Sequence, residues 1–199
     1  MSPLTRADLW SLEQYAEERP RFRSQVLEHK KTRHLALGEH ARLYFEDALT
    51  IKYQIQEMLR IEKVFEAAGI IEELDAYNPL IPDGQNWKAT FMIEYSDPIE
   101  RARRLAEMVG IEDKVWLQVG NGEKVYAIAD EDLDRSNEFK TSSVHFMRFE
   151  LTPDMITAAK RGEAIQAGIE HAAYSVESFV IAAPIRDSLT ADLQPKAVH

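Results

Sequence analysis

The chain has no cysteine. Disulfides, thiolate-held metals, cysteine-ligated iron–sulfur clusters and cysteine nucleophiles are therefore excluded, and any metal must use His, Asp, Glu or water. The absence also suits a reducing compartment. Glycine is sparse, at 8 of 199 residues. Neither GxGxxG nor GxxxxGK[ST] occurs, and the one close pair, "GNG" at 120–122, reads as a turn. GxSxG is missing too, which argues against a nucleophile-elbow hydrolase. No HExxH, ExxH or His-x-His pattern supplies a local metal signature. No apolar run is long enough to span a bilayer. "MSPLTRADLW" lacks the basic-then-apolar order of a signal peptide, so a cytoplasmic location is expected. Positive charge is also short: 24 Lys and Arg against 34 Asp and Glu leave a net charge of −10. That favours solubility and disfavours binding of nucleic acid or anionic membrane over the whole surface.

What is present fits a globular domain. Hydrophobic residues make up 45% and charged residues 29% of 199, enough to close a core in one domain. The first part, 1–75, reads as mainly helical. A short helix is expected after Thr5 in "TRADLWSLEQYAEE". A second helix, or a bent continuation, is expected after Pro20. "HLALGEHARLYFE" reads as two short strands meeting at Gly38-Glu39. In "ALTIKYQIQEMLRIEKVFEAAG", Ile51, Ile55, Met58, Leu59, Glu62 and Phe65 fall on one stripe of a single helix stopped by Gly69.

From 86 to 193 the pattern turns to strands with helical excursions. "NWKATFMIEY" alternates, and "SDPIERARRLAEMVG" carries an Asp97 cap, Pro98 in the first turn and Gly110 at its end. "KVWLQVGNGEKVYAIAD" predicts a hairpin turning on Asn121-Gly122. "SSVHFMRFEL" is a strand, "TPDMITAAKRG" a helix, "EAIQAGIEH" and "SFVIA" strands, and "APIRDSLTADL" a closing helix. The tail from 194 to 199 is expected to fray. The fold class is therefore α+β: a largely antiparallel sheet packed with helices, with a helical N-terminal part.

Two polar residues sit on apolar faces. His145 alternates in phase with Met147, Phe149 and Leu151, and its imidazole must find a partner. Glu62 lies near the middle of its helix's apolar stripe, where a carboxylate is costly unless paired, protonated or metal-bound. Two alternatives stay open. Glu62 can tie to Arg148 while His145 is a hydrogen-bonded core residue. Or Glu62 and Glu94 can meet His145 and His171 in a carboxylate–imidazole cage suited to iron, manganese or zinc. A separate feature is the basic segment of Arg19, Arg21, Arg23, Lys30, Lys31 and Arg33, with Glu28 as its one acid. It suits an anionic partner or phosphate, or else a solvated face paired with acids elsewhere.

"YQIQEML" (53–59), "YNPLIP" (77–82) and "SSVHFMRFEL" together resemble a bacterial family of about 200 residues and unknown function. The likeness runs from "FRSQVLEHKKTR" to "GIEHAAY", where Ala172 stands in place of an expected proline. The resemblance implies a context: such proteins are encoded beside rubrerythrin-like and iron–sulfur oxidoreductase proteins, in peroxide defence or electron transfer. It supplies no catalytic residues. Two functions follow as expectations. One is a metal-binding or redox-accessory protein, using non-haem iron, manganese or zinc. The other is a non-catalytic module docking onto an oxidoreductase or anionic partner through residues 19–34.

Overall fold

The computed structural model describes residues 3–194; most of the expected tail lies outside the described residues. Nine strands form two antiparallel sheets around one core. Strands β1 (His34–Leu37), β2 (Ala41–Phe45), β3 (Asn86–Ile93), β6 (Ile128–Ala129) and β7 (Val144–Glu150) make a sheet in the order β1-β2-β3-β7-β6. Strands β4 (Val115–Val119), β5 (Val125–Tyr126), β8 (Ile165–His171) and β9 (Tyr174–Val180) make the other, in the order β5-β4-β8-β9. The chain passes from one sheet to the other at Ala127, between β5 and β6, where its N–H donates to the Val115 carbonyl at 2.9 Å.

The alternation of side chains explains the layering. In β3, Trp87, Ala89, Phe91 and Ile93 are buried, whereas Lys88, Thr90 and Met92 face outward. The inward set joins Leu43, Phe149, Val115, Leu117, Ile165 and Ile169 in the main core, as expected for two sheets packed face to face. In the second sheet, Trp116 sits opposite Gly168 across the β4–β8 ladder. A Cβ at Gly168 would stand 2.5 Å from the indole, so the glycine makes room for the ring.

The helices are α1 (Leu12–Lys30), α2 (Ala48–Glu62), α3 (Ala67–Tyr77), α4 (Pro98–Glu107), α5 (Pro153–Lys160) and α6 (Ala183–Asp192). The first three bury apolar stripes against each other, forming two small clusters of their own. One is built on Ile51, Ile55, Leu59, Leu74 and Ile81, the other on Tyr15, Phe22 and Val26. The N-terminal part is helical as expected, but β1 and β2 lie within it and pair through to β3, so sheet and helices are interleaved in sequence.

Three local readings are revised, and at Pro20 one of two alternatives is selected. Ser11, rather than Thr5, caps the first long helix, accepting from the Gln14 N–H at 3.2 Å, and Thr5 opens only a short 3-10 turn. Pro20 lies inside α1, which runs on through it; of the two alternatives the continuation is the observed one. The expected long helix to Gly69 is two helices. Lys63 takes the left-handed conformation (φ 55°) that ends α2, a role glycine usually fills, and the chain turns before α3. The β4–β5 turn takes its positive φ from Gly120 (φ 56°) rather than from Asn121-Gly122, with Gly122 N–H donating to Val119 at 3.0 Å.

Candidate functional site

The outward residues of the first sheet form a floor. Register places Tyr44 beside Thr90 and Thr90 beside Phe146; Met92 lies beside Val144, and Lys88 beside Arg148. The helical layer stands over this floor without filling it. Two cavities result, of about 650 and 370 Å³, and Tyr77, Leu80 and Phe146 line both. Together they make a groove at the seam between helices and sheet, the kind of place where ligand sites form.

The larger cavity has Met58, Tyr77, Leu80 and Phe146 as apolar lining and Lys88 and Arg148 on its floor. Lys88 is half-buried, and its Nζ donates to the Pro79 carbonyl. Burial pushes its amine below the usual lysine range. Asp83, Glu131 and Glu150 oppose that shift and Arg148 adds to it. Arg148 is already engaged: its guanidinium forks onto Glu131 at 2.9 and 2.8 Å and reaches Glu150 at 2.5 Å. Glu131's hydrogen bond from Arg148 holds its carboxyl below the usual range. Glu73 and Asp75 of α3 also line this cavity, and burial pushes the Glu73 carboxyl up. From Val64 to Trp87 the chain has five acids and no Lys or Arg, so this wall is acidic.

In the smaller cavity, Glu46 accepts from Thr50 Oγ1 at 2.6 Å and Thr90 Oγ1 at 2.8 Å. Lys30 stands at its edge, 5.6 Å from the Tyr53 ring.

The expected metal set is not gathered. Glu62 is exposed at the end of α2, and Phe65, placed with it on an apolar stripe, is 71% exposed beyond the helix. The early end of α2 is the physical reason: neither residue lies on a buried helical face. Nor does Glu62 meet Arg148, whose carboxylates are Glu131 and Glu150. Glu94 is exposed on the outer sheet face, accepting from Arg42 Nε and Tyr44 OH, each at 3.0 Å. His171 stands at the end of β8, its Nε2 3.1 Å from the Val109 carbonyl. Among the described residues no three His, Asp or Glu side chains are grouped to hold a metal ion.

His145 is fully buried on the core face. Its Nδ1 lies 2.6 Å from Asp130 Oδ2, and its Nε2 lies 2.8 Å from Thr141 Oγ1 and 3.1 Å from the Ser142 carbonyl. Thr141 Oγ1 in turn donates to Glu112 at 3.1 Å, and Ser136 Oγ also donates to Glu112. Both ring nitrogens are therefore within hydrogen-bond reach of polar partners, so the buried imidazole is not left unsatisfied. Asp130 has a left-handed backbone (φ 54°) and accepts from the Phe146 N–H at 3.0 Å through its other oxygen. This network joins the segment 130–143 to β7 beneath the groove wall carrying Glu131 and Asp132.

The basic segment is largely spent. Arg19 pairs with Glu57 at 2.7 Å, Arg21 with Glu18 at 2.8 Å and Lys31 with Glu28 at 2.5 Å. Arg33 is buried against Asp192 at 2.7 Å and Asp47 at 3.7 Å. Only Arg23, exposed on α1, and Lys30 have no carboxylate partner among the described residues.

Sequence reasoning missed Lys88, Phe146, Tyr77 and Asp130. A single cation on the polar face of "NWKATFM" was the one available hint for Lys88. The others depend on strand register and on a left-handed aspartate, which no pattern announced.

The architecture defines an α+β protein in which two antiparallel sheets enclose the core and a helical layer roofs a groove. Residues 3–193 match the family described as "Protein of unknown function (DUF3501)", and the chain belongs to that family. It is similar to a protein of unknown function from Burkholderia pseudomallei known from a crystal structure, with 49% identity and a TM-score of 0.93. That match covers 97% of this chain and 100% of the other. Comparison with curated proteins gives no significant match.

Proposed function

We propose that this protein is a ligand-binding accessory module whose seat is the groove between the helical layer and the outer sheet face. The observation that carries the reading is the pair of adjoining cavities sharing Tyr77, Leu80 and Phe146. Their volumes fall in the range of small-molecule sites, about 300–1,000 Å³. Met58, Tyr77, Leu80 and Phe146 offer burial to a ligand's hydrocarbon body, and the charged groups among them orient it. The accessory role agrees with the context the family resemblance implies. Docking of an anionic partner through residues 19–34 rests on less, because only Arg23 and Lys30 keep their charge unmatched.

The test uses a neutral apolar fluorophore, N-phenyl-1-naphthylamine. The folded chain should bind about one equivalent, and Phe146→Glu should weaken binding about tenfold or more by replacing a shared apolar side chain with a carboxylate. Circular dichroism checks that the variant stays folded. Binding that is indifferent to both Phe146→Glu and Tyr77→Ala, or no binding at all, overturns the reading.

A further inference from the structure

Lys88 is unlike the two arginines that line the groove. Arg148 beside it is clamped between Glu131 and Glu150, and Arg33 is sealed against Asp192. Lys88 instead projects from the middle of a central strand onto the floor of the larger cavity, with its amine resting on a backbone carbonyl. A compact ammonium on a flexible stem loses its proton readily when its surroundings are apolar, and the free amine is a nucleophile. The apolar side chains Met58, Tyr77, Leu80 and Phe146 line the same cavity.

We propose that Lys88 captures carbonyl compounds: within the groove it forms an imine with an apolar, uncharged aldehyde or ketone. The proposal rests on the groove being a ligand site. The Nζ lone pair adds to the carbonyl carbon to give a carbinolamine. The two hydrogens of the amine then leave with the former carbonyl oxygen as water, and a C=N bond joins Lys88 to the ligand. Hydrolysis reverses the step, so no oxidant or reductant is consumed. The preference for an uncharged ligand follows from the surroundings. Glu73 and Asp75 on the α3 wall have no basic partner among the described residues. Arg148 on the cavity floor is already occupied by two carboxylates, and Arg135, stacked on the Phe146 ring, is paired with Asp130 and Asp132. A carbonyl compound bearing a carboxylate would meet repulsion without a receptor for its charge.

Burial lowers the proton affinity of Lys88, which raises the share of free amine at neutral pH over that of the exposed lysines. The experiment incubates the full chain with benzaldehyde and sodium cyanoborohydride at neutral pH and maps the benzylated lysines by peptide mass spectrometry. Lys88 should be modified about tenfold faster than the exposed lysines, and 4-carboxybenzaldehyde should label it more slowly than benzaldehyde does. N-phenyl-1-naphthylamine should compete with labelling at Lys88 and leave the other lysines unaffected. Lys88→Met should abolish that fast phase. Uniform labelling across the lysines, with dye binding intact and dependent on Phe146, overturns the imine and leaves the groove reading standing. Fast labelling of Lys88 that the dye does not slow overturns the groove reading instead. Faster labelling by the carboxylated aldehyde overturns the ligand class.

Discussion

At the scale of single residues, His145 shows how a core tolerates an ionisable ring. Its two nitrogens are both engaged, one by Asp130 at 2.6 Å and the other by Thr141 and Ser142. Removing one partner from a buried hydrogen-bond network leaves the others unsatisfied, at about 1–3 kcal/mol and more for a charged group. His145→Ala should therefore destabilise the fold by about 3 kcal/mol, read as a shift in the urea midpoint. Arg135, 3.2 Å from Asp130, still contacts that carboxylate and limits the loss. Asp130→Asn should cost less, since its amide retains a hydrogen bond and strands no carboxylate. If His145→Ala is neutral in denaturant, the network carries no stability. The alternation of "SSVHFMRFEL" was enough to place His145 on the core face. Its partner was hidden, because Asp130 reaches it from a separate strand through a left-handed turn that only tertiary contacts hold.

At the scale of elements, what the chain's pattern revealed depended on whether the usual punctuation residue was present. Asp97 and Pro98 mark the start of α4 as expected, and Thr152 and Pro153 mark that of α5. The end of α2 was illegible because a lysine occupies the left-handed position there, so the apolar period seemed to run on to Phe65. Pro20 misled in the opposite direction. It interrupts the pattern, yet α1 continues through it because Tyr15, Phe22 and Val26 on both sides are buried in one cluster. A proline in a helix interior removes a backbone donor and costs about 3 kcal/mol. Pro20 is exposed and buries no compensating surface. Pro20→Ala should raise the stability of the helical layer by about 1–3 kcal/mol, seen as a higher melting temperature by circular dichroism at 222 nm. No gain would mean that α1 has already relaxed around the ring. The elements were thus readable where local chemistry decides them. The groove was not, because it arises from register and from how α2 and α3 stand over the sheet.

At the scale of the whole molecule, the sandwich and the helical layer are stabilised differently. The sheets share one large core, whereas the helices rely on two small clusters and on polar ties between them. The chief tie joins α1 to α2: Glu57 accepts from Tyr15 OH at 2.7 Å and from Arg19 at 2.7 and 2.9 Å. The Arg19 guanidinium, with help from Tyr15 and Arg60, holds the Glu57 carboxyl down to about 2 from an ordinary 4.5. A carboxyl with a depressed folded-state value stabilises the fold fully above its ordinary value and loses that contribution as the pH falls through its folded value. The stability from Glu57 is therefore whole at neutral pH and disappears between about 4.5 and 2. After allowance for solvent screening it amounts to about 1 kcal/mol. Glu57→Gln should melt at a lower temperature at pH 7 and lose less on acidification across that window, so the two curves converge near its lower end. Because this tie belongs to the layer that roofs the groove, acid should also weaken N-phenyl-1-naphthylamine binding in the native chain before the sandwich unfolds. Near-ultraviolet circular dichroism of a Trp10→Phe variant, whose remaining tryptophans Trp87 and Trp116 are buried in the sheets, would follow the sandwich separately. Simultaneous loss of dye binding and of that tryptophan signal would mean that layer and sandwich unfold as one cooperative unit, and that the groove has no acid lability of its own.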